Sequence, residues 1–335
     1  MKILKPQYYD DFSCLASECP DSCCKEWQVD IDADTAQYYK GLPGPLGDHL
    51  RSVLCEDDGN TVMTLSGNRC PMWRQDGLCQ IHAQLGHDAL CQTCRDYPRL
   101  RHDYDDFVEL GLELSCPAAA ELIFSCQQPA FGEQTDAIEA APSYEIEVMS
   151  LLQRTRSEVL DFLNANAYPL PQSLCAILLY AHAVQEALDG GNTPVFDADA
   201  LISAANDCHF DGNIDSIFSF FSKLEILTPR WKQRLLAGAV NNRLSEAVRP
   251  LMRYCIERYW LQAICDYDLV CRVKFAVIAC LLVNAMGGNP VATAQLFSKE
   301  IENDPDNVEK ILCGAYTYTG FTDANLLGLL SGLTA

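Results

Sequence analysis

Eight cysteines fall into two spaced runs, and a ninth follows alone. The first run is Phe12-Ser13-Cys14-x4-Cys19-x3-Cys23-Cys24, trailed by Trp27, Val29 and Ile31. The second is Cys70-Pro71-x5-Gly77-Leu78-Cys79-x-Ile81-x4-Gly86-x4-Cys91-x2-Cys94-x2-Tyr97-Pro98-Arg99, and Cys116-Pro117 stands by itself. Thiolates are soft donors that suit zinc and iron–sulfur clusters. A spacing such as Cys91-x2-Cys94 brings two sulfurs to one centre at little loop-closure cost. Adjacent Cys23 and Cys24 can share one centre only with unusual geometry. The expectation is that one ligates and the other packs or serves a second centre. On the residues alone an iron–sulfur cluster, a structural zinc site and a disulfide framework all stay open. His82 and His87 lie between the pairs and are further candidate ligands, although a lone histidine more often sits at the surface or supports a ligand.

Other chemistry-bearing patterns are missing. Cys19-x3-Cys23 begins like the CxxxCxxC triplet of the usual radical S-adenosylmethionine enzymes, but Glu26 stands where the third cysteine belongs. Gly41-x2-Gly44-x2-Gly47 is interrupted by Pro43 and Pro45, so it reads as a turn region and not as a nucleotide loop. Gly287-Gly288 follows an apolar run that reads as helix, so a Rossmann methyltransferase domain is not expected. No Ser–His–Asp or HExxH signature appears.

Two textures of chain must position these cysteines. Residues 1–128 show little helical periodicity and are punctuated by turn signals at 41–48, 56–60 and 66–71. Short helices are expected at Asp34–Tyr39, capped by Asp32 or Asp34, and at His82–Tyr97, with strand character at Glu109–Leu114. A region so poor in regular elements would gain order from a metal, whose binding free energy becomes folding free energy. Residues 127–143 read as a linker. Helical patterns follow at Tyr144–Ala165, Gln172–Leu188, Ala198–Ala205, Ile214–Leu227, Pro229–Val240, Leu244–Ile264, Leu269–Met286, Val291–Glu302 and Asn325–Leu333. The fold expected is mainly α: a loop-rich, cysteine-rich metal-binding domain over 1–128, then an all-helical domain over 129–335.

Composition agrees with two globular domains. The chain has 335 residues, 49% hydrophobic and 21% charged. Eleven of its 18 cysteines lie before residue 129; the seven later ones mostly fall inside helical patterns and read as small core hydrophobes. The net charge of -22 argues against a nucleic-acid partner, which needs Lys and Arg to neutralise phosphates, and against an anionic membrane surface. The start MKILKPQYYDDFSC has no apolar signal region, and the longest apolar run, Phe275–Val283, is far short of the roughly 20 residues that span a bilayer. A cytoplasmic protein is expected, in which clustered cysteines suggest metal or catalysis over disulfides.

At the two runs the sequence resembles a known family. FxCx4Cx3CCxxWxVxID is similar to the FliB-type flagellin lysine-N-methylases. CP…GxCxI…CxxCxxYPR resembles the related YkgJ-like zinc- or iron-chelating cysteine-rich domain, and Leu114-Ser115-Cys116-Pro117 also fits the FliB type. The resemblance covers about residues 8–120. It implies a protein-lysine N-methyltransferase acting on flagellin or another lysine-bearing protein, with S-adenosylmethionine as donor and a [4Fe-4S] cluster in the cysteine-rich domain. The metal set it implies is Cys14, Cys19, Cys23, Cys24, Cys70, Cys79, Cys91, Cys94 and Cys116. A non-catalytic, metal-stabilised interaction module is the alternative, with metal storage or delivery a third reading.

Methyl transfer to an amine needs a neutral lysine, whose free pKa is about 10.4. An enzyme must desolvate it or supply a base. Tyr97, Tyr104, Asp96 and Glu109 lie near the motifs and are the candidates for that role, each also readable as ordinary packing or a solvated acid. An acidic surface would favour the approach of cationic side chains.

Overall fold

The structure, a computed structural model, describes residues 2–57, 59–126, 142–207 and 210–332, and the backbone alone of 131–135. Among them are fifteen α-helices and seven short strands, so the chain is mainly α. Residues 127–130 and 136–141 of the 127–143 linker reading, and Cys208, lie outside the described residues.

The chain begins in the middle of a sheet. Strand β1 (Lys2–Pro6) is followed by the irregular cysteine segment and then by β2 (Val29–Asp30). Asp32 starts helix α1 (Ala33–Gly41) by accepting the Thr35 amide at 3.0 Å, as its type at the N-cap predicts. Helix α2 (Gly44–Val53) follows, then the hairpin β3 (Leu54–Asp57) and β4 (Asn60–Met63). Strands β2, β4 and β3 form one three-stranded sheet in that order. Helices α3 (Gln80–Leu85) and α4 (Gln92–Asp96) carry the second cysteine run. Strands β5 (Arg99–Asp103) and β6 (Phe107–Leu112) return the chain to the first sheet, and helix α5 (Pro117–Ser125) leaves it. Strand β7 (Phe131–Thr135) completes the order β5-β6-β1-β7, with β1 parallel to β6 and antiparallel to β7.

The body is helical: α6 (Ile146–Ala165), α7 (Leu170–Leu188), α8 (Ala198–Asn206), α9 (Ile214–Phe221), α10 (Pro229–Ala237), α11 (Arg249–Tyr259), α12 (Val270–Met286), α13 (Pro290–Phe297), α14 (Pro305–Thr317) and α15 (Asp323–Gly332). Every residue of α12 is buried, and α7, α9, α11, α13 and α14 pack around it. A helix apolar on all sides belongs at the centre of such a bundle. Its two cations are neutralised: Arg272 by Asp266 at 2.9 Å, and Lys274 by Asp323 at 3.2 Å. No helix among the described residues is long and apolar enough to cross a membrane.

Several expected elements differ. His82–Tyr97 is not one helix. Gly86, at φ +87°, ends α3, and extended Cys91 starts α4 afresh. Residues 44–48 are not a turn but the start of α2, because Pro45 sits in a first turn, where its missing N–H costs nothing. Leu244–Ile264 is α11 flanked by two 3-10 turns, and Ile214–Leu227 stops as α9 at Phe221. Within the 127–143 linker lies β7, whose partner β1 is over a hundred residues away and so invisible to local pattern. Helix α14 was not expected, although Asp304 caps it through the Asn307 amide at 3.1 Å and Pro305 opens it. Of the later cysteines, Cys175, Cys255, Cys271 and Cys280 are buried as expected; Cys265 and Cys313 are exposed.

Apolar side chains form two cores. The small one gathers Val29, Ile31, Ala36, Tyr39, Leu50, Met63, Met72, Ile81, Leu90 and Cys91. The large one spans the helical body and also takes in Leu4, Tyr8, Tyr104, Phe107, Leu112, Leu114 and Cys116.

Candidate metal centre

Three segments bring five thiols to the edge of the small core. Residues 70–80 close a tight loop: Trp73 N–H donates to Cys70 O at 3.0 Å, Gln80 N–H to Met72 O at 2.7 Å, and Trp73 bridges Cys79. That loop sets Cys70 beside Cys79. The Cys70 amide donates to Cys24 O at 2.7 Å, which draws in the first run. Cys91 heads α4 and Cys94 lies one turn on, their thiols hydrogen-bonded. Helix α4 is fixed from outside. Asp32, already capping α1, also accepts the Gln92 amide at 2.8 Å, and Thr93 donates to Asp30 O at 3.1 Å. One carboxylate thereby starts two helices.

The other four thiols lie on the side facing the body. Cys19 donates to Asp21 O at 3.3 Å, and the Ala16 amide donates to Cys14 Sγ at 3.4 Å. Ala16 and Glu26 hold left-handed backbones, at φ 49° and 79°. Ser17 rests on Gly77, itself at φ +80°, where a Cβ would come within 3.4 Å of the Ser17 Cα. Cys116 sits at the N-terminus of α5.

The electrostatics follow this placement. Burial pushes the Cys70 thiol up to about 12 and Cys116 up to about 11. In each bonded pair one thiol is drawn down by accepting from its partner: Cys24 from Cys23, and Cys91 from Cys94. Cys23 and Cys94 are correspondingly raised, by that same bond first and by burial second. Both keep exposed surface within surroundings dense in protein atoms. A bound cation reverses the burial effect, because a coordinating thiol is deprotonated outright. Donor chemistry and neighbourhood therefore fit a soft-metal centre. Among the described residues, no three His, Cys, Asp or Glu side chains already stand in ligand geometry around one point. His82 and His87 are exposed and meet edge to face, ring centres 6.0 Å apart.

The four candidate acid–base groups part company. Tyr97 adjoins the thiols: its hydroxyl meets Ser115 Oγ at 3.1 Å, its ring centre lies 6.1 Å from that of Trp27, and burial, then the charge of Cys116, raises its pKa. Asp96 is exposed. Tyr104 is buried and stacked on Phe107 at 4.8 Å. Glu109 is buried and paired with Arg156 at 2.5 and 2.8 Å.

Sequence reasoning did not reach four polar residues at this site. Lys299 is fully buried in a π-helical turn over Ser298–Glu302 that extends α13. Its Nζ lies 3.0 Å from Asp21, 2.7 Å from Glu26 and 4.9 Å from the centre of the Trp27 ring. One turn earlier, Gln295 Nε2 donates to Asp21 Oδ2 at 3.1 Å and to Ser115 O at 2.6 Å. Nothing in the Ser298-Lys299-Glu300 string marks a lysine for burial.

Curated relatives match part of the chain. The Lysine-N-methylase of Salmonella choleraesuis strain SC-B67 is 29% identical over 130 residues, 37% of this chain and 32% of the relative. The Lysine-N-methylase of Salmonella typhimurium strain LT2 matches to the same extent. The chain is similar to lysine-N-methylases over about a third of its length. It also spans only about a third of theirs. The flagellar biosynthetic protein FliU of Salmonella muenchen is 28% identical over 134 residues, 37% of this chain and 77% of the relative. No family model matches, and no solved structure matches.

Proposed function

We propose that this protein is a protein-lysine N-methyltransferase of the FliB type, acting on flagellin or a similar lysine-bearing protein. The similarity to two proteins named Lysine-N-methylase carries this reading. The flagellar name of the third relative supports the substrate class. A [4Fe-4S] cluster is proposed on thiols of the small core, drawn from Cys24, Cys70, Cys79, Cys91 and Cys94. S-adenosylmethionine, the proposed donor, would supply the methyl group from its sulfonium.

The chain's own residues contribute in two ways. The charge of -22 attracts cationic side chains, an effect that weakens with salt. Tyr97 is the one acid–base candidate beside the thiols, and its raised pKa keeps it a neutral hydroxyl able to orient an amine.

The test is a methylation assay with labelled donor and unmethylated flagellin, on protein purified without oxygen. Incorporation on lysine is expected. No incorporation while the metal centre is intact would sink the reading. Visible absorption with iron, zinc and sulfide analysis separates a brown cluster from colourless zinc.

A further inference from the structure

Burying charge is costly unless it is paired, so the face of a helix that packs on a sheet is normally apolar. Helix α11 breaks that rule where it meets the first sheet. Tyr254, Glu257 and Arg258, at the i, i+3, i+4 spacing of one helix face, line a cavity there of about 30 Å³. From the sheet, Leu100 and His102 of β5 line it with their cross-strand partners, Gly111 and Glu109 of β6. A water-sized group needs about 10–15 Å³, so the cavity has room for two.

Eight buried side-chain polar atoms among the described residues have no hydrogen-bond partner, and three of them belong to residues lining this one cavity. They are Glu257 Oε1, His102 Nε2 and Arg258 Nε. Buried polar atoms are nearly always satisfied, so three orphans at one cavity point to something that fills it.

The charges around the cavity do not balance. Arg156 is taken by Glu109. Arg258 lies 3.6 Å from Glu302 and 4.0 Å from Glu113, and donates to the Tyr254 hydroxyl at 2.5 Å. Arg253 donates to the carbonyls of Ile123 and Cys126 and reaches Glu257 through its charge alone. Four carboxylates thus face three guanidiniums. Tyr8 donates to the Glu257 carboxylate but brings no charge. With no fourth cation present, burial raises Glu257 to about 7, and a proton balances the cluster instead. Burial and the charge of Arg258 lower the pKa of His102, which favours a neutral ring with a nitrogen free to accept.

We propose that this cavity is a binding site for the ammonium group of a small primary amine, held by Glu257 and His102. The ammonium donates to Glu257 Oε1 and His102 Nε2. A water beside it accepts from Arg258 Nε. The site shares no residue with the thiols and does not depend on the methyltransferase reading.

The experiment titrates methylamine hydrochloride into the full-length protein by calorimetry, with sodium chloride at equal ionic strength as control. Saturable binding is expected, tighter at about pH 8 than at about pH 6, because the proton on Glu257 competes with the amine. Glu257→Gln should weaken it roughly tenfold or more and flatten its pH dependence, since a charged hydrogen-bond partner is lost. Gly111→Val leaves every charged group in place. A Cβ there meets nothing nearer than Leu100 at 3.8 Å, so the variant should fold and should weaken binding by filling the cavity. If Glu257→Gln fails to fold, His102→Leu takes its place and should likewise weaken binding. Nα-acetyl-lysine amide separates two sources of the amine. If it displaces methylamine, the site takes the side chain of a lysine; if it does not, the site takes free amines. No saturable binding to wild type, or equal binding to wild type and Glu257→Gln, would overturn the site. Either result would leave the methylation assay to decide the proposed function by itself.

Discussion

The small core between residues 29 and 91 holds ten buried apolar side chains; the large core, which fills the helical body and extends into the first sheet and α5, holds sixty-three among the described residues. Both are continuous, but they solve the entropy of chain ordering by different means. In the body, α12 alone supplies seventeen buried residues, and helix-on-helix burial is ample. In the small core, short strands and broken helices leave loops that apolar burial alone holds weakly. Polar anchors take up the difference. Asp32 caps two helices, and Tyr39 donates to Ala89 O at 2.7 Å across fifty residues. Thiols crowd the edge, where a metal would complete the structure.

The sharpest way to break this comparison is to remove the metal proposed for the small core. Zinc-finger-like centres contribute on the order of 10 kcal/mol to folding. Chelation, or Cys91→Ser, should open residues 29–91 to proteolysis while the helical body melts as before. Equal protection with and without metal would show that the small core stands by itself.

A body substitution should behave in the opposite way. Arg156→Met leaves Glu109 buried without its partner, which typically costs about 3–5 kcal/mol. The melting temperature of the body should fall markedly with metal content unchanged. Coincident loss of metal would mean that the two cores fold as one unit.

The third effect depends on pH. Burial raises Glu257 from its usual value of 4.5 to about 7. The folded state therefore holds this proton more tightly than the unfolded chain does. Its contribution is fully present below pH 4.5 and is lost as pH rises through about 7, a decline of roughly 3 kcal/mol at most. Glu257→Gln should flatten that decline, so the variant gains on wild type between those limits in melting curves taken across pH. Parallel curves would remove Glu257 as the cause.

What the sequence discloses follows the same division. The period of the helical body is local, so α6, α7, α8 and α12 stand close to their expected bounds. The cysteine runs are local too and can be listed by eye. Their arrangement is not local. The meeting of Cys24 with Cys70, the alliance of Asp21 with Lys299 and the pairing of β1 with β7 join residues far apart in the chain. Glu109 shows the converse: an acid beside a motif looked chemically available, and Arg156 occupies it.

The parallel pairing of β1 with β6 has a mechanical consequence. The chain leaves this sheet at Pro6 and re-enters it at Arg99, so the cysteine-bearing segment is a bight tied off at its neck. Tension applied between the two ends of the chain would load the neck first. Until β1 shears from both β6 and β7, the thiols inside the bight feel none of the pull through their own segment.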